Sequence, residues 1–309
     1  MNTEFPSDAS NLKSQYSILD THISISLLEM KYLIIIFAFL SVAFLPAKKD
    51  KKKEIIVASY NLRMDTPRDS LNAWPNRKEN VKALIQYHEF DIIGTQEGFK
   101  HQLEDLLEMP GFAYIGGGRD DGKDAGEHSA IVYKTERFQV MDSGDFWLSE
   151  TPDKPGLGWD ATCCNRIASW AKFRDKNTKK QFYVFNVHFD HQGVVARQES
   201  GKLMEKKIKE IAKDAPVILT GDFNSTPDTE QMKSLSSFLN DAYSVTKMPP
   251  YGPVGTSSGF RFTAAFKNRI DYVFVSNHFE VHKYAALTDF KEQRYPSDHL
   301  PVVAEVSFK

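Results

Sequence analysis

From Glu54 onward the chain alternates short apolar runs with stretches whose apolar residues recur every three or four positions. Ile55 to Ala58 predicts a first strand that ends on Ser59-Tyr60-Asn61. Pro75 suits a helix start, because its missing N–H and fixed φ cost nothing in the first turn. Val81, Leu84, Ile85 and His88 then share one helical face at i, i+3, i+4 and i+7. Asp91 to Gly94 predicts a second strand running into Gln96-Glu97, and Leu103, Leu106 and Leu107 mark a short helix. Ala130 to Tyr133 and Phe182 to Val187 predict strands, the latter with clean alternation. Met204, Ile208 and Ile211 predict a third helix, followed by a strand at Val217-Ile218-Leu219. Glycine, proline and aspartate mark loops at Gly116 to Gly126, Leu148 to Asn165 and Met248 to Gly259. Strand-helix-strand order followed by strand-rich stretches predicts a mixed α/β or α+β sandwich, with no linker dividing residues 54–309.

Several of these runs end on polar residues of one chemical kind. Gly221-Asp222-Phe223-Asn224 follows the strand at 217–219, Ile270-Asp271-Tyr272 precedes Val273-Phe274-Val275, and Ser297-Asp298-His299 precedes the apolar run Leu300 to Val306. Open sheets present functional groups at strand ends. Carboxylate, amide and imidazole together suit a divalent cation, an attacking water and a phosphate. Singly, each residue has a plainer use: Asn61 as a turn former, Glu97 in a first helical turn, Asp222 and Asn224 in a turn before Pro227. Six such strand-end signals in one order are not what composition alone supplies.

Composition refines the picture. With 41% apolar residues over 309 positions, the chain can bury a full core. Its two cysteines, Cys163 and Cys164, are adjacent, which predicts neither a disulfide framework nor a zinc site. Residues 1–29 are polar and aperiodic, and read as an upstream extension outside the fold. Met30-Lys31 and the apolar stretch Tyr32 to Leu45 have the length of a signal-peptide core rather than a membrane span, so residues 30–47 are expected to act as a signal peptide and the product to be exported without a transmembrane anchor. The lysines at 48, 49 and 51–53 argue the other way, since they follow the apolar stretch. Of 39 basic and 41 acidic residues, Lys13, Lys31, Glu4, Asp8, Asp20 and Glu29 precede residue 48, which leaves the body balanced at 37 each. A chain that grips nucleic acid usually carries a basic excess, so no stable nucleic-acid partner is implied.

The motifs Tyr60-Asn61, Thr95-Gln96-Glu97, Gly126-Glu127 ahead of Tyr133, Asn186-Val187-His188, Gly221 to Asn224, Ile270-Asp271-Tyr272 and Ser297-Asp298-His299 together resemble those of the endonuclease/exonuclease/phosphatase superfamily, over about residues 54–309. The loop block between Phe146 and Arg197 resembles that of secreted-type bacterial members. The resemblance implies an α+β fold: a four-layered α/β/β/α sandwich of two packed mixed sheets flanked by helices. It also implies Mg²⁺, with Mn²⁺ able to substitute, held by Glu97, Asn61 and Asp298. Asp222 and His299 are the groups expected to orient or deprotonate water, with Asp271 orienting His299 and Glu127 orienting His188. Asn224, and His188 when protonated, would donate to phosphoryl oxygens. Arg166 and Arg197 are candidate phosphate clamps, because a guanidinium matches phosphate in a fork. Trp159 is a candidate stacking residue, while Asp190 and His191 invite a metal reading that spacing alone does not carry.

These readings predict a divalent-metal-dependent phosphoesterase acting on a phosphomono- or phosphodiester, with a small molecule, sugar phosphate or lipid headgroup ahead of a DNA or RNA substrate. A non-catalytic binding module is disfavoured, because Glu97, Asp222, Asp271 and His299 are all present.

Overall fold

The computed structural model describes residues 53–309 with the exception of Ala264. The expected upstream extension and signal peptide therefore lie outside the described residues. Among the described residues, twelve strands and five α-helices follow in chain order, with one short 3-10 helix at Pro67–Asn72: β1 (Ile55–Asn61), α1 (Trp74–Tyr87), β2 (Ile92–Gln96), α2 (Lys100–Leu107), β3 (Phe112–Ile115), β4 (Ile131–Lys134), β5 (Phe138–Trp147), β6 (Ile167–Asp175), β7 (Gln181–His188), α3 (Val194–Ala212), β8 (Val217–Asp222), α4 (Glu230–Phe238), β9 (Asn240–Asp241), α5 (Ala242–Val245), β10 (Asp271–Val275), β11 (Phe279–Ala286) and β12 (Val302–Phe308). No helix among the described residues is long and apolar enough to cross a membrane.

The strands form two six-stranded sheets, ordered β11-β12-β1-β2-β4-β3 and β5-β6-β7-β8-β10-β9. Each has one parallel pair at its centre, β1 with β2 and β7 with β8, while the other pairings are antiparallel. Alternation along the strands divides their side chains between two faces. Ile55 and Val57 of β1, Ile92 of β2, Phe182 and Val184 of β7, Ile218 of β8 and Val273 of β10 meet between the sheets. From the other face of the first sheet, Ala58, Tyr60 and Ile93 pack on Val81, Leu84 and Ile85 of α1 and Leu103 and Leu106 of α2. From that of the second, Phe185, Leu219 and Phe274 pack on Met204 and Ile208 of α3 and Met232 and Leu235 of α4. The result is the expected α/β/β/α sandwich.

Local details depart from the periodicity. His88 lies just past α1 as its C-cap, and Leu107 is exposed. The adjacent cysteines, expected to stay unpaired, are bonded to each other. They sit in an irregular segment between Gly158 and β6, where no ladder hydrogen bonds fix the backbone against closing that small ring.

Where the sheets meet beneath the strand ends, the core turns polar. Gln96 Nε2 donates to Asn186 Oδ1 at 2.7 Å, and Thr220 Oγ1 donates to the same oxygen at 3.0 Å. Asn186 Nδ2 donates in turn to the carbonyls of Thr95 and Ala130, at 2.8 and 2.9 Å. This network joins β2, β7 and β8 across the sandwich, and Gly94 makes room for it. A Cβ on Gly94 would stand 1.9 Å from Thr220 Oγ1 and 2.4 Å from Asn186 Oδ1. Gly94→Ala is therefore expected to destabilise the fold by about 1–3 kcal/mol, as overpacking does, measured by urea unfolding against the wild-type chain. An unchanged midpoint would contradict this packing.

Candidate active site

The functional groups stand at one end of the sandwich, and strand register puts them there. In the pairing of β8 with β10, Asp222 lies opposite Asp271; in that of β7 with β8, His188 lies opposite Asp222. Asn61 closes β1 beside Gln96 of β2, and Glu97 follows at once. Side chains from five strand ends, two in one sheet and three in the other, thus converge. The Ser297-Asp298-His299 segment is carried in ahead of β12: Ser297 Oγ donates to the Asn61 carbonyl at 2.6 Å, and buried Arg77 of α1 donates to the carbonyls of Leu62 and Pro296. Three non-glycine residues here, Arg63, Glu97 and Asn224, adopt positive φ, at 57°, 62° and 46°. Such conformations cost energy and collect at functional sites.

At the centre, His299 Nδ1 donates to Asp271 Oδ2 at 2.9 Å and lies 3.8 Å from Asp222 Oδ2. Thr256 Oγ1 donates to the same Asp271 oxygen at 2.6 Å and accepts from the Ile270 and Asp271 amides. Asp271 is thereby fixed as the residue that orients the ring. Burial by itself would depress the His299 pKa, but the carboxylates of Asp271 and Asp222 outweigh it and hold the imidazole well above its ordinary value. The Asp222 pKa also rises, which for a carboxylate favours the neutral form: burial first, then the Asp271 charge, push it up to about 7.

On one flank, Asn61 Nδ2 donates to Glu97 Oε1 and to Asp222 Oδ2, each at 3.0 Å. Glu97 Oε2 accepts from the Met64 amide at 3.1 Å, and Arg63 comes within 3.7 Å of Glu97 Oε2 and 4.0 Å of Asp298 Oδ2. Burial opposes the Glu97 charge, yet His299, the Asn61 amide and the Met64 N–H keep its pKa below the ordinary range. Burial, followed by the neighbouring Glu97 charge, raises Asp298. Two crowded, partly open carboxylates form an oxygen donor set, which fits a hard divalent cation and not a sulfur-seeking one; Asn61, expected as a further ligand, turns its Nδ2 toward Glu97 and accepts the Arg63 N–H at its Oδ1, at 2.9 Å. The Asp222, Asp271 and His299 donor atoms also lie within 4.8 Å of one another. Because the last two already bond each other, Glu97 and Asp298 are the better ligands.

On the other flank, Asn224 Nδ2 donates to His188 Nε2 at 3.2 Å and to the Phe189 carbonyl at 3.0 Å. Two expectations are corrected here. Glu127 does not bond His188; its Oε2 takes Arg119 Nη1 at 2.6 Å. His188 is not held protonated: burial, then Arg166 and Arg119, keep its pKa well below the ordinary value, so the neutral ring accepts from Asn224. Glu127, driven by burial against the pull of Arg119, rises to about 7.

The outlying candidates divide. Arg166 is buried near the cluster, with Nη2 2.8 Å from His191 Nδ1 and Nε 3.5 Å from Asp190 Oδ2. Arg197 lines a hollow of about 350 Å³ together with Asn224 and Asn268. Trp159 is half-buried and its backbone N–H donates to Glu150, without joining the cluster. Cys163, expected to lie away from the histidines, has its sulfur beside Asp190 and His191, but that sulfur is held in the disulfide. Sequence reasoning missed Thr256, Arg63 and Arg119. Arg63 had a signal, standing two residues past the strand-end Asn61; Thr256 and Arg119 sit in loops whose pairing no periodicity reveals.

Three comparisons place the chain among known proteins. Residues 58–299 match the model of the Endonuclease/Exonuclease/phosphatase family. Among solved structures, an endonuclease/exonuclease/phosphatase family protein from Bacteroides thetaiotaomicron is 45% identical and superposes with a TM-score of 0.81, covering 84% of this chain and 99% of that one. A mannosyl-6-phosphatase from the same organism is 46% identical, with a TM-score of 0.79 and coverage of 82% and 100%. An uncharacterised protein of Acanthamoeba polyphaga mimivirus is 29% identical over 255 residues, 76% of this chain and 92% of that protein. The family match runs from within β1 to His299 itself, and on that ground the chain belongs to the endonuclease/exonuclease/phosphatase family, whose members are phosphoesterases or nucleases.

Proposed function

We propose that the protein is a divalent-metal-dependent phosphoesterase that hydrolyses a small phosphoester, with a sugar phosphate as the leading substrate class. The observation that carries this reading is the Asp222–His299–Asp271 cluster, a near-neutral carboxylate 3.8 Å from an imidazole that a second carboxylate holds in place. Glu97 and Asp298, with Asn61 alongside, would hold Mg²⁺ or Mn²⁺, which polarises a phosphoryl oxygen and offsets developing charge. Asp222 is matched to accepting the proton of the attacking water, since a base works best with a pKa near the working pH. His299, charged and anchored by Asp271, donates from its free Nε2 into the cleft. Asn224 supplies an amide N–H to a phosphoryl oxygen as charge accumulates there. The sugar-phosphate assignment is supported by the 46% identity to the mannosyl-6-phosphatase. It is also supported by the amide- and hydroxyl-rich hollow beside Asn224, lined by Gln198, Ser225, Thr226 and Asn268, which suits a polyhydroxylated group. Export remains part of the proposal, and a disulfide fits an oxidising compartment.

The test is hydrolysis by the purified protein of aryl mono- and diesters, hexose phosphates, inositol phosphates, sphingomyelin, single-stranded DNA and RNA, with Mg²⁺, Mn²⁺ or EDTA. Turnover abolished by EDTA and restored by Mg²⁺, highest on a sugar phosphate, is the expected result. Highest turnover on DNA or RNA would replace the reading with a nuclease, and turnover indifferent to EDTA would remove the metal from it.

A further inference from the structure

The wall of the cleft beyond His188 holds donors that the roles above leave unused. Arg119 rides on the loop between Gly116 and Gly126, and Arg166 stands just before β6. Their side chains are only 14% and 6% exposed. Buried polar groups are nearly always paired, because an unpaired one forfeits its hydration. Yet Nε of Arg119 and Nη1 of Arg166 have no hydrogen-bond partner. Both arginines line a pocket of about 10 Å³ that Glu127, His128 and His188 border as well. A space of that size holds one water, which is also the size of one phosphoryl oxygen. Each guanidinium already faces a carboxylate, Arg119 with Glu127 and Arg166 with Asp190, so this is no diffuse positive patch. It is a one-oxygen space between two arginines that each keep an unspent N–H, with Glu127 on the same wall and His188 beside it.

We propose that Arg119 and Arg166 clamp the third non-bridging oxygen of a phosphomonoester, and that this clamp makes the protein a monoesterase. The inference rests on the phosphoesterase reading above and narrows its substrate class. A monoester phosphoryl group presents three non-bridging oxygens. A diester presents two, with an organic substituent where the third would be. Carbon in a water-sized pocket leaves the N–H groups unpaired and meets the pocket wall, so the diester is rejected by both shape and desolvation. Glu127 is then a positioning residue for Arg119, holding one arm of the fork so that another donor stays free.

The experiment compares an aryl phosphate with its methyl diester in Mg²⁺, for wild type, Arg119→Gln and Arg119→Lys, alongside calorimetric binding of inorganic phosphate to the same proteins. Wild type is expected to favour the monoester in kcat/KM. Arg119→Gln should cut that preference by about 30-fold, the worth of a lost charge-assisted hydrogen bond, and weaken phosphate binding comparably. Arg119→Lys, which keeps charge but not the fork, should fall between and serves where the glutamine variant does not fold. Equal loss on both esters, or a wild-type preference for the diester, overturns the clamp. If wild type hydrolyses neither ester, the phosphoesterase reading fails and calorimetry still decides the clamp: phosphate bound by wild type and weakened in the variants supports it, and phosphate bound equally by all, or by none, overturns it.

Discussion

His299→Ala is expected to lower kcat on the best phosphoester by about 10³-fold, within the range that general acid–base groups supply. The geometry makes a sharper demand than the single number. His299 Nδ1 is held by Asp271 Oδ2, which Thr256 Oγ1 fixes from the other side. Asp271→Asn should therefore cost nearly as much as losing the imidazole, because an amide in that place no longer selects the Nδ1–H tautomer or supports the charged ring. Groups that act as one unit are not additive, so the double variant should be little slower than His299→Ala. Steady-state kinetics on the three variants checks this, with melting curves to confirm folding. Multiplied losses would mean that the two residues act separately and that Asp271 does not serve through His299.

Glu97→Gln should lose about two to three orders of magnitude in kcat/KM at fixed Mg²⁺, because several kcal/mol of charge stabilisation depends on the cation it would hold. Two outcomes separate a ligand from a merely structural acid. Calorimetric titration should show Mg²⁺ affinity falling with activity, and raising Mg²⁺ should recover part of the rate. Glutamine keeps one acceptor, enough for the Asn61 Nδ2 or the Met64 N–H donor but not both, so a melting curve on the variant checks that the backbone at this positive-φ position stays in place. A variant that binds Mg²⁺ as wild type does but remains slow would move the cation site toward Asp298 or the Asp222 cluster.

Much of this was legible in the chain because apolar runs bounded by Asn61, Glu97, His188, Asp222 and Asp271 place those residues at strand ends almost regardless of what surrounds them. Register does the rest: once β8 pairs with β10, the two aspartates must face each other. What stayed hidden depends on contacts between distant loops. Glu127 looks like a partner for His188 until the loop between Gly116 and Gly126 folds back and gives it Arg119. Thr256 lies in a stretch of prolines and glycines without periodicity, and its hydroxyl matters only because that stretch is laid across β10. The edge strand β5 was invisible for a different reason: residues 139–143 are mostly exposed, so no alternation marks it. In the irregular segment before β6, sequence spacing argued against pairing the adjacent cysteines, and the local backbone allowed it.

The strand orders also bear on how the protein comes into being. The second sheet is built almost in sequence order from residues 138–275, so its pairings close over short stretches of chain. The first sheet cannot finish until Ile55 meets Val306, a contact that spans nearly the whole described chain. Long-range pairings of this kind are slow, since the entropy of closing the loop is lost before any contact repays it. Asp222, Asp271 and His188 belong to the part that assembles locally, whereas His299 arrives with the strand that docks across the longest span. Competence for chemistry is thereby tied to the pairing of longest sequence span, which brings His299 to the carboxylates of the second sheet.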